Sequence, residues 1–303
     1  RQVGSQPYTV SSIFKASAFP PEVLGPAPAG VKEGRREWGM RVTHEIAFDH
    51  YRQTQNNLAR AFRRFGYGTE AVKVCHYWDD APAFKIDNEN VKGILLARPD
   101  DQTVALVLQS WATGPTSVGV TFDPTVIGFN PGRYVYDALR CRNRELENNA
   151  LNVRFDFPFQ TGVYIINSQA PDPDVLFSDN FDRGVNFGWD YLSPYAKSKS
   201  GKLYFGKNEA QWMGDPRLFK CLNLPDFTDA ELSFSFRIPE TPDKRAEVVN
   251  VAFPADELRL SKHGMSHSRV DPCISLHVTI EPDKGLVVRA AHRKGNGSRT
   301  MKS

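Results

Sequence analysis

The residues best suited to ligand chemistry in the first third of the chain follow a short apolar stretch. Residues 71–77 have β-type composition, and Trp78, Asp79 and Asp80 come directly after them. An indole ring offers a flat face on which the C–H face of a sugar can stack, and a neighbouring carboxylate can hydrogen-bond to hydroxyl groups. Trp78, Asp79 and Asp80 are therefore candidates for a carbohydrate-binding site. A packing tryptophan followed by an ordinary Asp-Asp turn is the commoner structural alternative.

A second group of aromatic residues lies in the second half of the chain. Each ring alone is more often a core residue, but several rings within a short stretch favour an exposed sugar-stacking surface. The predicted members of this surface are Trp189, Tyr191, Tyr204 and Trp212.

Oxygen ligands precede this group. Asp179, Asn180 and Asp182 carry the hard oxygen donors that calcium prefers, although the loop glycine and spaced acids of an EF-hand are missing. A structural calcium ion is therefore the one cofactor that the sequence suggests, and a strand start is the alternative. His263 and His267 are four residues apart, but Gly264 and the lack of a helical period argue against a zinc pair.

Acidic residues elsewhere do not form an obvious catalytic pair. Glycosidases normally place two carboxylates across the scissile bond, which adjacent Asp79 and Asp80 cannot do. His44 and Glu45 lie at the start of the predicted amphipathic helix, where the helix dipole favours an acid in the first turn. If the last domain is itself a hydrolase, its candidate carboxylates are Asp215, Glu231 and Glu247.

Composition excludes several classes of protein. The 303 residues carry 38 basic and 35 acidic side chains, a net charge of +3 that does not suggest nucleic-acid binding. The sequence contains no run of about 18 apolar residues, so it predicts no membrane-spanning helix. The four cysteines lack CxxC spacing, which favours separate buried thiols over a Cys221–Cys273 disulfide. The sequence starts at Arg1 without a secretion-signal pattern, and we interpret it as part of a longer protein.

The elements that must position Trp78 begin with a proline-rich segment through Gly34, which predicts a loop. Apolar residues then recur at helical spacing from Trp38 to Phe65 and predict one amphipathic helix, ended by Gly66 and Gly68. Residues 71–77 follow as a strand. A helix that leads into an apolar strand is half of an α/β unit, so residues 1–83 are expected to need missing neighbours.

Antiparallel β-structure is predicted from residue 84 onward. Short apolar stretches alternate with Gly and Pro, as in a β-sandwich, and Pro99–Gln102 predicts a hairpin turn. We expect this accessory sandwich to occupy residues 84–170. Its predicted strands are 91–98, 103–111, 117–122, 133–139, 151–157 and 162–166.

A polar, proline-containing linker at 168–174 introduces a second β-domain, residues 174–303. Glu281–Gly285 has the composition of a tight turn between its last two strands. We expect this sandwich to be incomplete at Ser303. Its predicted strands are 175–181, 202–206, 218–222, 230–238, 247–253, 274–280 and 286–291.

Two resemblances join these parts. The segments 65–68, 76–78, 104–108 and 136–139 resemble the end of family 123-like glycoside hydrolases, in which a (β/α)8 barrel precedes a β-sandwich. Residues 176–182, Trp189 and the 232–236 stretch resemble concanavalin-A-like lectin or laminin-G-like jelly rolls. The fold expected is thus mainly β: two antiparallel sandwiches, the second a jelly roll, behind an α/β remnant of a (β/α)8 barrel.

The resemblances imply a function for the chain as a whole. They imply the C-terminal, carbohydrate-binding region of a secreted or periplasmic bacterial glycoside hydrolase whose catalytic core lies outside this chain. Polysaccharide or oligosaccharide is then the partner, and the chain alone is expected to be inactive. Two alternatives stay open, because related sandwiches serve different roles. In the first alternative, the last sandwich is itself a sugar-cleaving jelly roll. In the second, both sandwiches are structural or partner-binding modules.

Overall fold

The structure is a computed structural model of the chain, and it describes residues 33–45, 56–140, 142–172, 175, 177–181, 187, 189, 191–192, 196–205, 218–219, 233, 235, 246–254, 273–281, 284–293 and 299–302. The chain divides into two compact units, the first including Lys32–Leu224 and the second including Pro225–Ser303. Both units are rich in antiparallel strands, which confirms the mainly β fold class. Among the described residues, no helix has the length and apolar character needed to cross a membrane.

The first unit contains three described helices and thirteen described strands. The helices are α1 (Glu33–Val42), α2 (Asn56–Phe65) and the short α3 (Pro124–Ile127). The strands are β1 (Lys73–His76), β2 (Phe84–Ile86), β3 (Val91–Arg98), β4 (Thr103–Ser110), β5 (Thr116–Phe122), β6 (Tyr134–Asp137), β7 (Arg142–Glu145), β8 (Ala150–Phe155), β9 (Thr161–Asn167), β10 (Tyr191–Leu192), β11 (Ala196–Lys199), β12 (Lys202–Phe205) and β13 (Leu218–Phe219).

Two sheets form a sandwich in this unit. One sheet has the strand order β1-β3-β4-β9-β6-β7, and the other has the order β2-β5-β8. Apolar side chains from both sheets share one buried cluster, including Leu95, Leu106, Val120 and Val153. Alternate residues of the larger sheet, such as Ile94, point to its other face. Successive side chains of a strand alternate between faces, so a strand buried on both sides needs an almost continuous apolar sequence.

Helices α1 and α2 cover the outer face of the larger sheet. Trp38 of α1 and Phe62 of α2 pack edge-to-face, with ring centroids 5.8 Å apart. Both belong to a second buried cluster that includes Ile94 and Val107 of the sheet. The described part of residues 1–83 thus packs onto the sandwich, and the predicted boundary between 83 and 84 falls inside this unit.

Strand β1 has a clear place in the larger sheet. It pairs antiparallel with β3, with His76 opposite Ile94 and Cys75 opposite Leu95. The strands of a (β/α)8 barrel pair in parallel. In this structure β1 therefore serves as an edge strand of the sandwich, while descent of this segment from a barrel stays a prediction.

The single helix predicted from Trp38 to Phe65 is wrong at Thr43–Glu45. Helix α1 ends at Val42, and Glu45 has a left-handed φ of 53° with its N–H donating to the Val42 carbonyl, 3.1 Å away. Helix α2 confirms the C-terminal half of the prediction. Gly66, with φ of 117°, ends α2 as predicted, and the Tyr67 N–H then donates to the Phe62 carbonyl.

The predicted hairpin at Pro99–Gln102 is confirmed, since β3 and β4 pair from Val91↔Ser110 to Arg98↔Thr103. The strands predicted at 117–122, 133–139, 151–157 and 162–166 correspond to β5, β6, β8 and β9. The strand predicted at 175–181 is wrong for the described residues 175 and 177–181, which have no regular secondary structure. Cys75 is buried and carries a free thiol.

The second unit contains a four-stranded antiparallel sheet. Its strands β14 (Ala246–Pro254), β15 (Cys273–Glu281), β16 (Gly285–Arg293) and β17 (Arg299–Lys302) pair in chain order. Glu281 pairs with Gly285, which confirms the predicted turn. In the strand predicted at 230–238, the described residues Ser233 and Ser235 are not in a strand. The jelly-roll topology of residues 174–303 stays a prediction.

Candidate functional site

Trp78 is a large apolar side chain that the fold leaves at the surface. It is 47% exposed. One face of its indole stacks on the imidazole of His76, with centroids 4.4 Å apart and planes only 13° from parallel. The side chain is thus 47% exposed although one face of its ring is stacked. We call this exposed, His76-backed indole the Trp78 platform.

The turn after β1 sets the position of the platform. The carboxylate Oδ2 of Asp79 accepts a hydrogen bond of 2.7 Å from the His76 backbone N–H. The Asp79 N–H donates in turn to the His76 carbonyl, 3.3 Å away. The Tyr77 N–H donates to the Gly93 carbonyl of β3, which anchors the turn to the sheet. The two reciprocal hydrogen bonds between His76 and Asp79 close a tight turn that holds Trp78 over the His76 ring.

His76 lies between two carboxylates. Its Nδ1 is 3.4 Å from Asp79 Oδ1, and its Nε2 is 3.4 Å from Glu45 Oε2. Burial alone would lower the pKa of His76, but Glu45 and Asp79 together raise it above its ordinary value. At 3.4 Å, the contact of Nε2 with Glu45 is a close charge contact and not a well-directed hydrogen bond.

Glu45 is held toward His76 by the backbone and by Tyr67. The Tyr67 hydroxyl donates to Glu45 Oε1 over 3.0 Å, which leaves Oε2 facing His76. Interaction with His76 is the main reason that the pKa of Glu45 is lowered. A left-handed φ is costly for a residue other than glycine and persists where the surroundings enforce it. Together, Glu45, His76, Trp78 and Asp79 form the unit that we call the His76 cluster.

His44 supports the cluster from the side. Its Nδ1 is 3.0 Å from the Met40 carbonyl, and its Nε2 is 3.1 Å from the Tyr77 hydroxyl. Donation from Nδ1 to the carbonyl and acceptance at Nε2 fit the neutral ring. Burial lowers the pKa of His44, which agrees with that state. Its ring also lies 6.1 Å from that of Trp78 and 5.6 Å from that of Trp111.

The arrangement of polar atoms suits a role in positioning the Trp78 ring better than a catalytic role. The ring nitrogens of His44 and His76 all face protein partners within the distances given above, so neither imidazole points a nitrogen at an open binding surface. Within the part of the chain that the structure describes, no three His, Cys, Asp or Glu side chains converge as a metal site would require. The cluster can therefore hold an aromatic face rigidly and surround it with hydrogen-bond acceptors.

The structure brings some predicted site residues together. Trp78 and Asp79 share one turn, and Asp80 follows them at the exposed end. Glu45, for which the sequence favoured a structural role, approaches from the end of α1. Sequence reasoning missed His76, although the i, i+3 spacing of His76 and Asp79 at the end of a strand was a signal. The hydrogen bond from the Tyr67 hydroxyl to Glu45 carried no such signal in the sequence, because it depends on the turn that ends α2.

The second predicted sugar surface is described only in part. The Trp189 Nε1–H donates to Asp179 Oδ2 over 2.7 Å, and its ring packs against those of Phe177 and Phe181. Tyr191 lies on β10, paired with Phe219. Tyr204 is exposed on β12, and Trp212 lies outside the described residues. Trp189 is thus anchored by its polar edge.

Asp179 also faces protein donors at its other oxygen. Its Oδ1 accepts from the Arg64 guanidinium over 3.1 Å and from the Phe181 N–H over 3.0 Å. Asn180 is exposed, and Asp182 lies outside the described residues. The calcium site at these three residues stays a prediction. Of the alternative hydrolase carboxylates, Glu247 lies on β14, while Asp215 and Glu231 fall outside the described residues.

Comparison of the sequence with protein-family models gives no match, and comparison with curated proteins gives none either.

Proposed function

We propose that the first unit binds carbohydrate at the Trp78 platform. The observation that carries the proposal is the stacking of a 47% exposed indole on an imidazole that is fixed between two carboxylates. An exposed tryptophan normally loses side-chain entropy when it binds a ligand. A tryptophan that is already stacked loses less, so its apolar face is available for a sugar ring at lower cost.

Hydrogen-bond acceptors beside the platform support a polyhydroxylated ligand. The side chain of Asp79 is 34% exposed, and Asp80 is exposed next to it. Ligand hydroxyl groups can donate to these carboxylates while the C–H face of the ring covers the indole. Because both histidines of the site are engaged by protein partners, binding without bond cleavage is the function that this geometry supports.

The proposal extends to the whole chain in a coarser form. The chain would be the accessory and carbohydrate-binding region of a family 123-like glycoside hydrolase, with residues 174–303 as a lectin-like jelly roll. Trp189, Tyr191 and Trp212 would contribute to a second sugar surface. What supports this is the antiparallel sandwich over residues 84–167 and the position of Trp78 just past the end of β1.

Binding by the full chain tests the proposal. Isothermal titration calorimetry with cellohexaose, chitohexaose and maltohexaose, chosen to vary linkage and substituent, should give saturable binding for at least one of them. Trp78→Ala should weaken that binding about tenfold, because aromatic stacking is worth about 0.5–1.5 kcal/mol beyond the apolar area that it buries and about 1.4 kcal/mol corresponds to a factor of ten.

The matched control is Tyr134→Ala, which removes a half-buried aromatic side chain from β6, near the opposite edge of the same sheet. This variant should bind like the original protein. Absence of binding to all three hexasaccharides, or equal binding by Trp78→Ala and the original protein, would overturn the proposal.

A further inference from the structure

We infer that the protonation of His76 controls ligand binding at the Trp78 platform, so that the site binds its ligand in acidic to neutral solution and releases it as the solution becomes alkaline. The inference rests on the proposed function and adds a regulation to it. The relevant contact is the near-parallel stacking of the His76 ring on one face of the indole, with the centroids 4.4 Å apart.

The stack responds to charge. A cation over an aromatic face is attracted by the ring quadrupole, and tryptophan is the strongest partner for this interaction. An imidazolium at His76 therefore holds the indole more firmly than a neutral imidazole does. It also pairs with Glu45 and Asp79 at 3.4 Å on its two sides, so loss of the proton weakens three attractive contacts at once.

The charged and titratable groups around His76 come from four parts of the fold. Glu45 approaches from the turn after α1, with the Tyr67 hydroxyl behind it, and Asp79 approaches from the turn after β1. Lys92 of β3 places its ammonium 5.0 Å from the Tyr77 ring. His44 lies next to both aromatic rings of the turn, with its centroid 5.8 Å from that of Tyr77 and 6.1 Å from that of Trp78.

These neighbours leave His76 as the group that switches near neutral pH. The pKa of Glu45 is lowered, and burial lowers that of His44, so Glu45 stays ionised and His44 neutral at neutral pH. Burial raises the pKa values of Tyr67, Tyr77 and Cys75 away from neutrality. The two carboxylates raise the pKa of His76, so its ring stays protonated to higher pH than an ordinary histidine.

The direct test measures binding against pH. With the tightest-binding of the three hexasaccharides, the dissociation constant should rise about three- to tenfold between pH 6 and pH 9, in step with the His76 imidazole signals in an NMR titration of the full chain. His76→Gln should bind with a constant affinity across this range. Glu45→Gln removes one carboxylate and should move the midpoint to lower pH, which keeps the test informative if His76→Gln does not fold.

A ligand-free measurement separates this inference from the proposed function. Acrylamide quenching of tryptophan fluorescence should increase as His76 loses its proton, and Trp78→Phe should abolish that increase. Glycan binding that is independent of pH would overturn the inference and leave the proposed function standing. If the acrylamide quenching depends on pH but none of the hexasaccharides binds, the proposed function is refuted, and the control of binding is refuted with it. A fall in affinity that persists in His76→Gln would also overturn the inference.

Discussion

Gly39 of α1 lies directly against Gln109 of β4. A Cβ atom at Gly39 would overlap the Gln109 Oε1 and the side chain of Thr161 on β9. Gln109 cannot move aside easily, because its Oε1 accepts from the Thr161 hydroxyl over 2.6 Å and its Nε2 donates to the Phe159 carbonyl over 2.8 Å. The close approach sets the distance between α1 and the sheet, and through it the position of Glu45.

We expect Gly39→Ala to destabilise the first unit by about 2 kcal/mol, because overpacking against a buried hydrogen-bonded network forces the helix outward. The free energy of unfolding from urea denaturation measures the effect. Gly114→Ala is the matched control, since a Cβ atom there meets no atom within 4 Å. Equal stability of the two variants would show that α1 can shift without cost.

Much of the sandwich could be predicted from local sequence. Strands β3 and β4 are long apolar stretches on either side of a Pro-Asp turn, so both their type and their pairing follow from short-range patterns. Strand β7 was missed because its sequence Arg-Asn-Arg-Glu carries no apolar alternation at the sheet edge. The three-residue strand β2 was missed because it is too short to show a period.

The candidate site could be predicted only in part. Trp78 and Asp79 were visible because they are adjacent in sequence and follow a strand. The approach of Glu45 to His76 depends on how α1 packs on the sheet, which no local pattern encodes. The helical period itself concealed the end of α1, because His44 and Glu45 fit a continuous helix until tertiary contacts with Tyr77 and His76 favour the turn.

Asp137 is a buried carboxylate whose ionisation should oppose folding. Its Oδ1 accepts from the Arg140 N–H over 3.1 Å, while its Oδ2 has no hydrogen-bond partner among the described residues. Burial raises the pKa of Asp137 above its ordinary value. Between the unfolded pKa of about 4 and the raised folded value, the unfolded chain ionises first, so stability falls as pH rises through this window.

We therefore expect Asp137→Asn to gain stability relative to the original protein as the pH rises from 4 to 8, with the smallest difference at the acidic end. Thermal unfolding at several pH values measures this trend. A difference between the two proteins that does not change with pH would show that Asp137 ionises in the folded state as readily as in the unfolded chain.

Asp179 links α2 to the segment that carries Trp189. Its side chain is only 1% exposed and accepts from Arg64, Trp189 and the Phe181 backbone. Asp179→Ala should cost about 2–3 kcal/mol of unfolding free energy, since it leaves buried donors unpaired. The measurement is repeated with calcium and with EDTA. If protein donors alone hold Asp179, the melting temperature of the original protein is the same in both; a calcium-dependent rise would instead assign a metal to Asp179 and Asn180.

Asp79 and Asp80 are adjacent carboxylates with different predicted roles. Asp79 raises the pKa of His76, whereas Asp80 is not among the groups that shift it. Asp79→Asn should therefore lower the pKa of His76 in an NMR titration, while Asp80→Asn should leave that pKa unchanged and reduce only glycan affinity. The two variants remove the same charge one residue apart, so a general electrostatic effect would move the His76 pKa in both. Equal shifts would contradict the specific contact of 3.4 Å between Asp79 Oδ1 and His76 Nδ1 as the cause.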